Sequence, residues 1–270
     1  MDKLKPYLRI LPEVQKALAA GLPVVALDSD SVLNGKPLPQ KKQGVFYPMT
    51  GQSPDPEGSA LPYPQNAAAA GQILAAVREN GAVPALLAVC DGLLCIGLTD
   101  AETDALAKTA DTRPAAGRRE LPALLVQKGS ARATPGAAMI MAALAGIEVM
   151  VTLPIGGDLH PATQPDKNEL TRTSLLVVCN SPAPAFAPAA TMSFLTASGV
   201  PVVGYRTDAF PSQADTPADI AAMYAAHQAL GLQGTLLAVN PVPIDVPPAD
   251  ALRLNAALAA HIAREWKKNP

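Results

Sequence analysis

The chain has 270 residues, enough for a core that buries roughly three quarters of the unfolded surface, as one α/β domain or two small ones. Its 21 Lys+Arg against 23 Asp+Glu leave a net charge of −2 with only 16% charged residues, which argues against the clustered basic face that nucleic acid requires. A content of 49% hydrophobic and 4% aromatic residues is that of Ala-, Leu- and Val-rich helices packed closely on a sheet, and no apolar run reaches the about 18 residues of a membrane span.

From the N-terminus, Met1-Asp-Lys-Leu-Lys-Pro6 opens no signal-peptide core. Apolar runs follow at Leu22–Leu27, Ala85–Cys90, Leu93–Leu98, Glu148–Thr152, Leu175–Cys179, Val200–Tyr205 and Thr235–Val239. Amphipathic, Ala-rich stretches separate them, which is the strand–helix alternation of an α/β fold. Most runs lack polar alternation, so helices are expected on both faces of a largely parallel or mixed sheet. Asn66 is placed to cap a helix reaching about Glu79, and Thr99 with Glu102 makes a capping box. Gly146 closes a helix that begins near Pro135, and Thr216-Pro217 opens one that Gly231 closes. In the last helix Leu254, Leu258, Ile262 and Trp266 form an i, i+4 row, read as a core-facing stripe. The segment at about 36–64 has neither period and is rich in Pro, Gly, Lys, Gln and Ser. It reads as an insertion in a strand-to-helix connection: a lid, a binding loop or disorder. With no other boundary in view, residues 1–270 are read as a single domain. Cys90, Cys95 and Cys179 sit in apolar runs without metal spacing, as buried thiols of a reducing cytoplasm do.

Ligands of doubly wound sheets bind beyond the carboxyl ends of the strands. Those ends carry Asp28-Ser29-Asp30, Thr152, Asn180-Ser181, Arg206-Thr207-Asp208 and Asn240. The carboxylates of Asp28 and Asp30 suit a hard divalent cation or a base with its orienter; equally, they close the strand in an Asx-turn. Ile155-Gly156-Gly157-Asp158 is either an anion-binding run of backbone N–H groups or a plain turn. Thr134-Pro135-Gly136 offers a helix N-terminus to an anion, or simply a cap. His227 shares helical spacing with Ile220, Met223, Tyr224 and Leu230, which marks it as core, whereas His160 is the one histidine near a strand end. There is no Ser/His/Asp order, nucleotide fingerprint or zinc spacing.

Longer runs carry a resemblance. Pro23-Val-Val-Ala-Leu-Asp28-Ser29, Leu61-Pro-Tyr-Pro-Gln-Asn66, Glu79-Asn-Gly-Ala-Val-Pro-Ala85, Gly97-Leu-Thr and Arg118-Arg-Glu-Leu-Pro122 resemble the pseudouridine-5′-phosphate glycosidase family, also called indigoidine synthase A-like. So do Met139–Ile147, Gly199–Asp208 and Ala238-Val-Asn-Pro-Val-Pro243, in the family's order and over most of the chain. The resemblance implies an α/β homotrimer that reversibly cleaves the C-glycosidic bond of pseudouridine 5′-phosphate to uracil and ribose 5-phosphate. It also implies a divalent metal, typically manganese, and a lysine that forms a Schiff base with the opened ribose.

Carried over residue by residue, the family's first-strand glutamate falls on Asp28, its TGGIGGVHRG threonine on Thr152, its metal-associated aspartate on Asp166 and its VVANPIP asparagine on Asn240. Two histidines become Asn34 and Leu159. The Schiff-base lysine becomes Ala183, and a second lysine falls at about Ala115. The loop after the Gly-Tyr strand shrinks to Phe210–Thr216, and the stretch before the last helix to Ile244–Ala249. The resemblance therefore implies Asp28 and Asp166 as catalytic residues, Asp166 as metal ligand with Asp28 nearby, and Thr152 and Asn240 as substrate contacts; Ser29, beside Asp28, and Thr134, at its helix N-terminus, are read as further substrate contacts. The ligand class is a nucleoside or sugar phosphate. Two readings stand: an enzyme with altered chemistry, or a binding or structural homologue that keeps the trimer. Lys36, Lys128 and Lys167, the amines that could substitute, read as surface lysines.

Overall fold

The computed structural model describes residues 4–34, 61–155, 164–180, 188–243 and 246–268. Of the insertion at about 36–64 only 61–64 falls among these, and Gly156-Gly157-Asp158, Leu159, His160 and Ala183 lie outside them. In chain order the first half gives β1 (Leu8–Ile10), α1 (Pro12–Ala19), β2 (Val24–Asp28), α2 (Ser29–Asn34), α3 (Gln65–Glu79), β3 (Val83–Cys90), β4 (Leu93–Ile96), α4 (Asp100–Lys108), β5 (Ala115–Ala116), α5 (Leu121–Val126) and β6 (Ala131–Ala133). The second gives α6 (Pro135–Ala145), β7 (Val149–Val151), α7 (Gln164–Leu170), β8 (Leu176–Asn180), α8 (Pro188–Ala197), β9 (Val202–Tyr205), β10 (Ser212–Ala214), α9 (Pro217–Ala229), β11 (Leu236–Asn240) and α10 (Pro248–Lys268).

The strands form one sheet in the order β1-β4-β3-β2-β7-β8-β11-β9-β10, with β6 against β3 and β5 against β6. Every pairing is parallel except those of β3 with β4 and with β6. The apolar runs divide between two cores by their alternation. Val25 and Leu27 of β2, Leu86 and Ala88 of β3, and Leu176 and Val178 of β8 face one cluster with α3, α9 and α10. Val24 and Ala26, Leu87 and Val89, and Val177 and Cys179 face the other, with α1 and α6. Strands buried on both faces need no polar alternation. The expected α/β sheet with helices on both faces is what the chain builds.

Each expected strand is present. The missed strands β1, β5, β6 and β10 have two or three residues each and lie towards or beside the edges, too short to show a period. Asn66 does not cap α3; it lies inside the first turn, where its Nδ2 donates to the Ala107 carbonyl at 2.9 Å and ties α3 to the end of α4. The capping box at Thr99 forms as expected, and Thr216, expected only to open its helix, makes a second one with Asp219. Leu254 departs from its stripe and is 44% exposed, while Leu258, Ile262 and Trp266 are buried. At a true helical pitch the row rotates by about 40° per four residues, so its N-terminal member leaves the core.

The strand order diverges between β2 and β7. From β2 the order runs outward through β3 and β4, whereas from β7 it runs the opposite way through β8 and β11. The parallel neighbours β2 and β7 therefore flank a topological switch point, where the connections diverge and leave a crevice at the carboxyl ends.

Candidate active site

Asp28 ends β2 at that switch point and is fully buried. Its Oδ1 accepts from the Ser31 backbone N–H at 2.7 Å, the i to i+3 contact of a helix cap, so it starts α2 as well as ending the strand. Ser31 Oγ lies 3.2 Å from the Thr152 hydroxyl, which follows β7 across the crevice. Asp28 Oδ2 is buried and has no hydrogen-bond partner among the described residues. Burial lifts the Asp28 carboxyl to about 7, against the pull of Ser31 and Thr152 and with a further push from Asp30. A buried, half-satisfied carboxylate near neutrality is equipped to hold or release a proton.

Ser29 turns the other way. It is fully buried, and its Oγ accepts from Ala133 N–H at 2.9 Å, which pins the start of α2 to β6. Asp30 pairs with Arg132, a buried arginine of the short strand β6 whose Nε donates to the Arg113 carbonyl at 3.1 Å.

A second carboxylate sits on the N-terminus of α6. Thr134 caps this helix, and Asp166 Oδ1 accepts from both Thr134 Oγ1 at 3.0 Å and Gly136 N–H at 2.7 Å. The anion at this N-terminus is thus the protein's own aspartate. Glycine is required there, because a Cβ at position 136 would lie 2.6 Å from Asp166 Oδ1. Burial raises Asp166 to about 6; Gly136 and Thr134 oppose the rise, while Asp30 and Glu169 add to it. Asp30 thus acts electrostatically on both Asp28 and Asp166. Both bonds to Asp166 use Oδ1, so Oδ2 is the atom a cation would take. Among the described residues no group of three or more His, Cys, Asp or Glu could form a metal cage. One carboxylate completed by water is a common arrangement for a hard octahedral cation, and Asp166 fits it.

One turn further along α7, Glu169 is as buried as Asp28 but is gripped by Arg118 at 2.8 and 2.7 Å and by the Thr173 hydroxyl at 2.7 Å. Burial pushes its carboxyl up, yet these contacts prevail and hold it below the ordinary range. Lys167 is not a surface residue. It is 1% exposed, with its ammonium 5.2 Å from the centre of the Phe194 ring. Lys128 is exposed, as expected, and Lys36 lies outside the described residues.

The carboxyl ends of β8 and β11 carry an amide relay. Asn240 Nδ2 donates to Asn255 Oδ1 at 2.9 Å, and Asn255 Nδ2 donates to Asn180 Oδ1. Asn255 is fully buried on α10 and couples two strand ends that are register partners. Sequence reading placed Asp28, Thr152, Asn180 and Asn240 at strand ends and missed Asn255, Arg132, Glu169 and Arg118. A signal for Arg132 existed: a single arginine between Ala131 and Ala133 in an apolar strand. His227 is buried in the core, as its spacing indicated.

Acids, hydroxyls and amides at the carboxyl ends of a doubly wound sheet mark an α/β protein with a candidate site at its switch point. Relatives narrow that class. The indigoidine synthase A like protein family matches residues 58–265, and the chain belongs to it. The chain is 34% identical to pseudouridine-5′-phosphate glycosidase of Hahella chejuensis over 96% of its own length and 83% of the relative's. It is 36% identical to the enzyme of the same name from Methylobacterium nodulans over 96% and 74%. Two crystal structures share the fold at a TM-score of 0.77, each over 97% of both chains: the prealnumycin C-glycosynthase AlnA in complex with ribulose 5-phosphate, at 22% identity, and an indigoidine synthase A-like protein of Thermotoga maritima, at 19%. No described helix is long and apolar enough to cross a membrane.

Proposed function

We propose that this chain binds a nucleoside or sugar phosphate at the β2/β7 crevice and acts on its C-glycosidic bond without a lysine adduct at position 183. The observation that carries this is Asp28, buried at the switch point with one oxygen unpartnered among the described residues and its carboxyl raised to about 7. Breaking or making a C-glycosidic bond moves a proton to or from the base carbon. A carboxyl that is half protonated near pH 7 can give or take it. Thr152 and Ser31 orient Asp28, and Asn240, held by Asn255, supplies an amide for ligand contact. Support for the ligand class comes from the glycosidase relatives and from the ribulose 5-phosphate in the structural neighbour.

Asp166 is the residue that would hold a divalent cation, manganese by resemblance, through Oδ2. Such a cation supplies positive charge for anionic ligand oxygens when bound. Thr134 and Gly136 fix the carboxylate that faces it. The resemblance carries with it a homotrimer, and the free thiols suit a reducing cytoplasm.

A Schiff base needs a primary amine within reach of the sugar C1, and alanine at 183 supplies none. Borohydride treatment with ribose 5-phosphate is expected to leave the protein mass unchanged, while turnover of pseudouridine 5′-phosphate or its reversal falls roughly 10²-fold or more in Asp28→Asn. A stable adduct mapped to one lysine, Lys167 above all, would overturn the adduct-free reading. Ala183 also favours a second reading, a homologue that binds without chemistry. Saturable ligand binding with no turnover in either direction would select it.

A further inference from the structure

The hairpin of β3 and β4, one strand away from β2, carries a thiol pair that the proposed reaction does not use. Asp91 (φ 51°) and Gly92 (φ 77°) turn it tightly, the backbone of a two-residue hairpin loop. The register sets Ala88 opposite Cys95 and Cys90 opposite Leu93, so Cys90 and Cys95 are diagonal neighbours on the same face of the sheet. Each thiol acts electrostatically on the other. On the other side of β4, Arg9 is the parallel register partner of Cys95, and its Nε donates to Cys95 Sγ at 3.3 Å. Nη1 of the same guanidinium reaches Glu102 at 2.6 Å, while Nη2 is buried with no partner among the described residues. Cys95 is fully buried, and Cys90 is partly open to solvent.

We propose that Cys90 and Cys95 are the two ligands of a soft monovalent cation of the Cu(I) class, with Arg9 balancing the charge. Three arguments support the class. Diagonal cross-strand residues stand about 7–8 Å apart, wider than the about 4.4–6.8 Å between Cα atoms of a disulfide, so direct closure would distort the hairpin. Two thiolates on one metal, with bonds of about 2.3 Å, lie up to twice that distance apart, a span within reach of side chains on diagonal positions of one sheet face. Zinc demands four ligands, and among the described residues no third His, Cys, Asp or Glu joins the pair. A soft cation content with two thiolates remains. Binding releases the two thiol protons to solvent and gives up the Cys95 contact to the Leu93 carbonyl. The resulting dithiolate complex carries one negative charge beside the Arg9 guanidinium.

The test uses reduced, oxygen-free full-length protein titrated with Cu(I) held by bicinchoninate, whose colour reports the metal that the protein fails to take. The wild type and Cys179→Ser are expected to withdraw one equivalent each, and Cys90→Ser and Cys95→Ser none. Copper K-edge absorption on the wild type should show a two-sulfur shell. Circular dichroism checks folding, and Cys90→Ser, at the more open position, keeps the test valid if the buried Cys95→Ser variant unfolds. Wild-type protein that withdraws no copper, or Cys90→Ser protein that withdraws as much as the wild type, would overturn the proposal.

Discussion

Asp28 and Glu169 both expose almost no surface to solvent, yet their carboxyls are shifted in opposite directions. Glu169 is held below its ordinary range because Arg118 and Thr173 occupy both of its oxygens. Asp28 is lifted to about 7 chiefly by burial, with one oxygen held by Ser31 and the other without a partner among the described residues. Depth alone therefore does not decide ionisation; a bidentate guanidinium does. The paired acid braces α7, and the acid with one unpartnered oxygen among the described residues sits at the β2/β7 switch point, where the proposed chemistry needs a proton.

The largest effect that can break this comparison is on stability against pH. A raised carboxyl binds more protons folded than unfolded, so its cost is absent below about pH 4 and grows as pH climbs to about 7. Wild-type Tm is expected to fall over that window. Asp28→Asn removes the ionisation cost and is expected to be more stable than the wild type at pH 8 by up to about 4 kcal/mol, with little difference at pH 4. Urea titrations at the two pH values check it, and equal differences at both would break the contrast.

Arg118→Ala strips the partner from Glu169 and should make it resemble Asp28. A fully buried pair costs about 3–5 kcal/mol to break, but Arg118 is half exposed, so a loss on the order of 2 kcal/mol is expected. Denaturation midpoints read this directly, and Glu169→Gln combined with Arg118→Ala should recover part of it.

Smaller still is Gly136→Ala. The added methyl forces Asp166 off the α6 N-terminus, at roughly 1–2 kcal/mol. Manganese binding, followed by electron paramagnetic resonance, is expected to weaken with it. Thr134→Val removes one donor from Asp166 at about 1 kcal/mol and should raise that carboxyl's midpoint above about 6.

Most of the sheet was legible because its strands are unbroken apolar runs such as Val24–Leu27 and Leu176–Cys179. What was not legible depends on partners distant in sequence. Thr134-Pro135-Gly136 reads equally well as an open anion site, and only the fold brings Asp166 onto it. Lys167 looks like any lysine of a polar helix until α8 brings Phe194 to its ammonium. Asn66 has a cap residue's identity, yet its amide is spent on Ala107. Family resemblance located Asp28, Thr152 and Asn240, but the amide relay through Asn255 has no local signature.

The most direct test is the titration of Asp28 itself. Carboxyl carbon shifts of aspartate-labelled protein, assigned by their loss in Asp28→Asn, should follow a midpoint near 7 in the free protein. A midpoint near 4, the value of an exposed aspartate, would contradict the account.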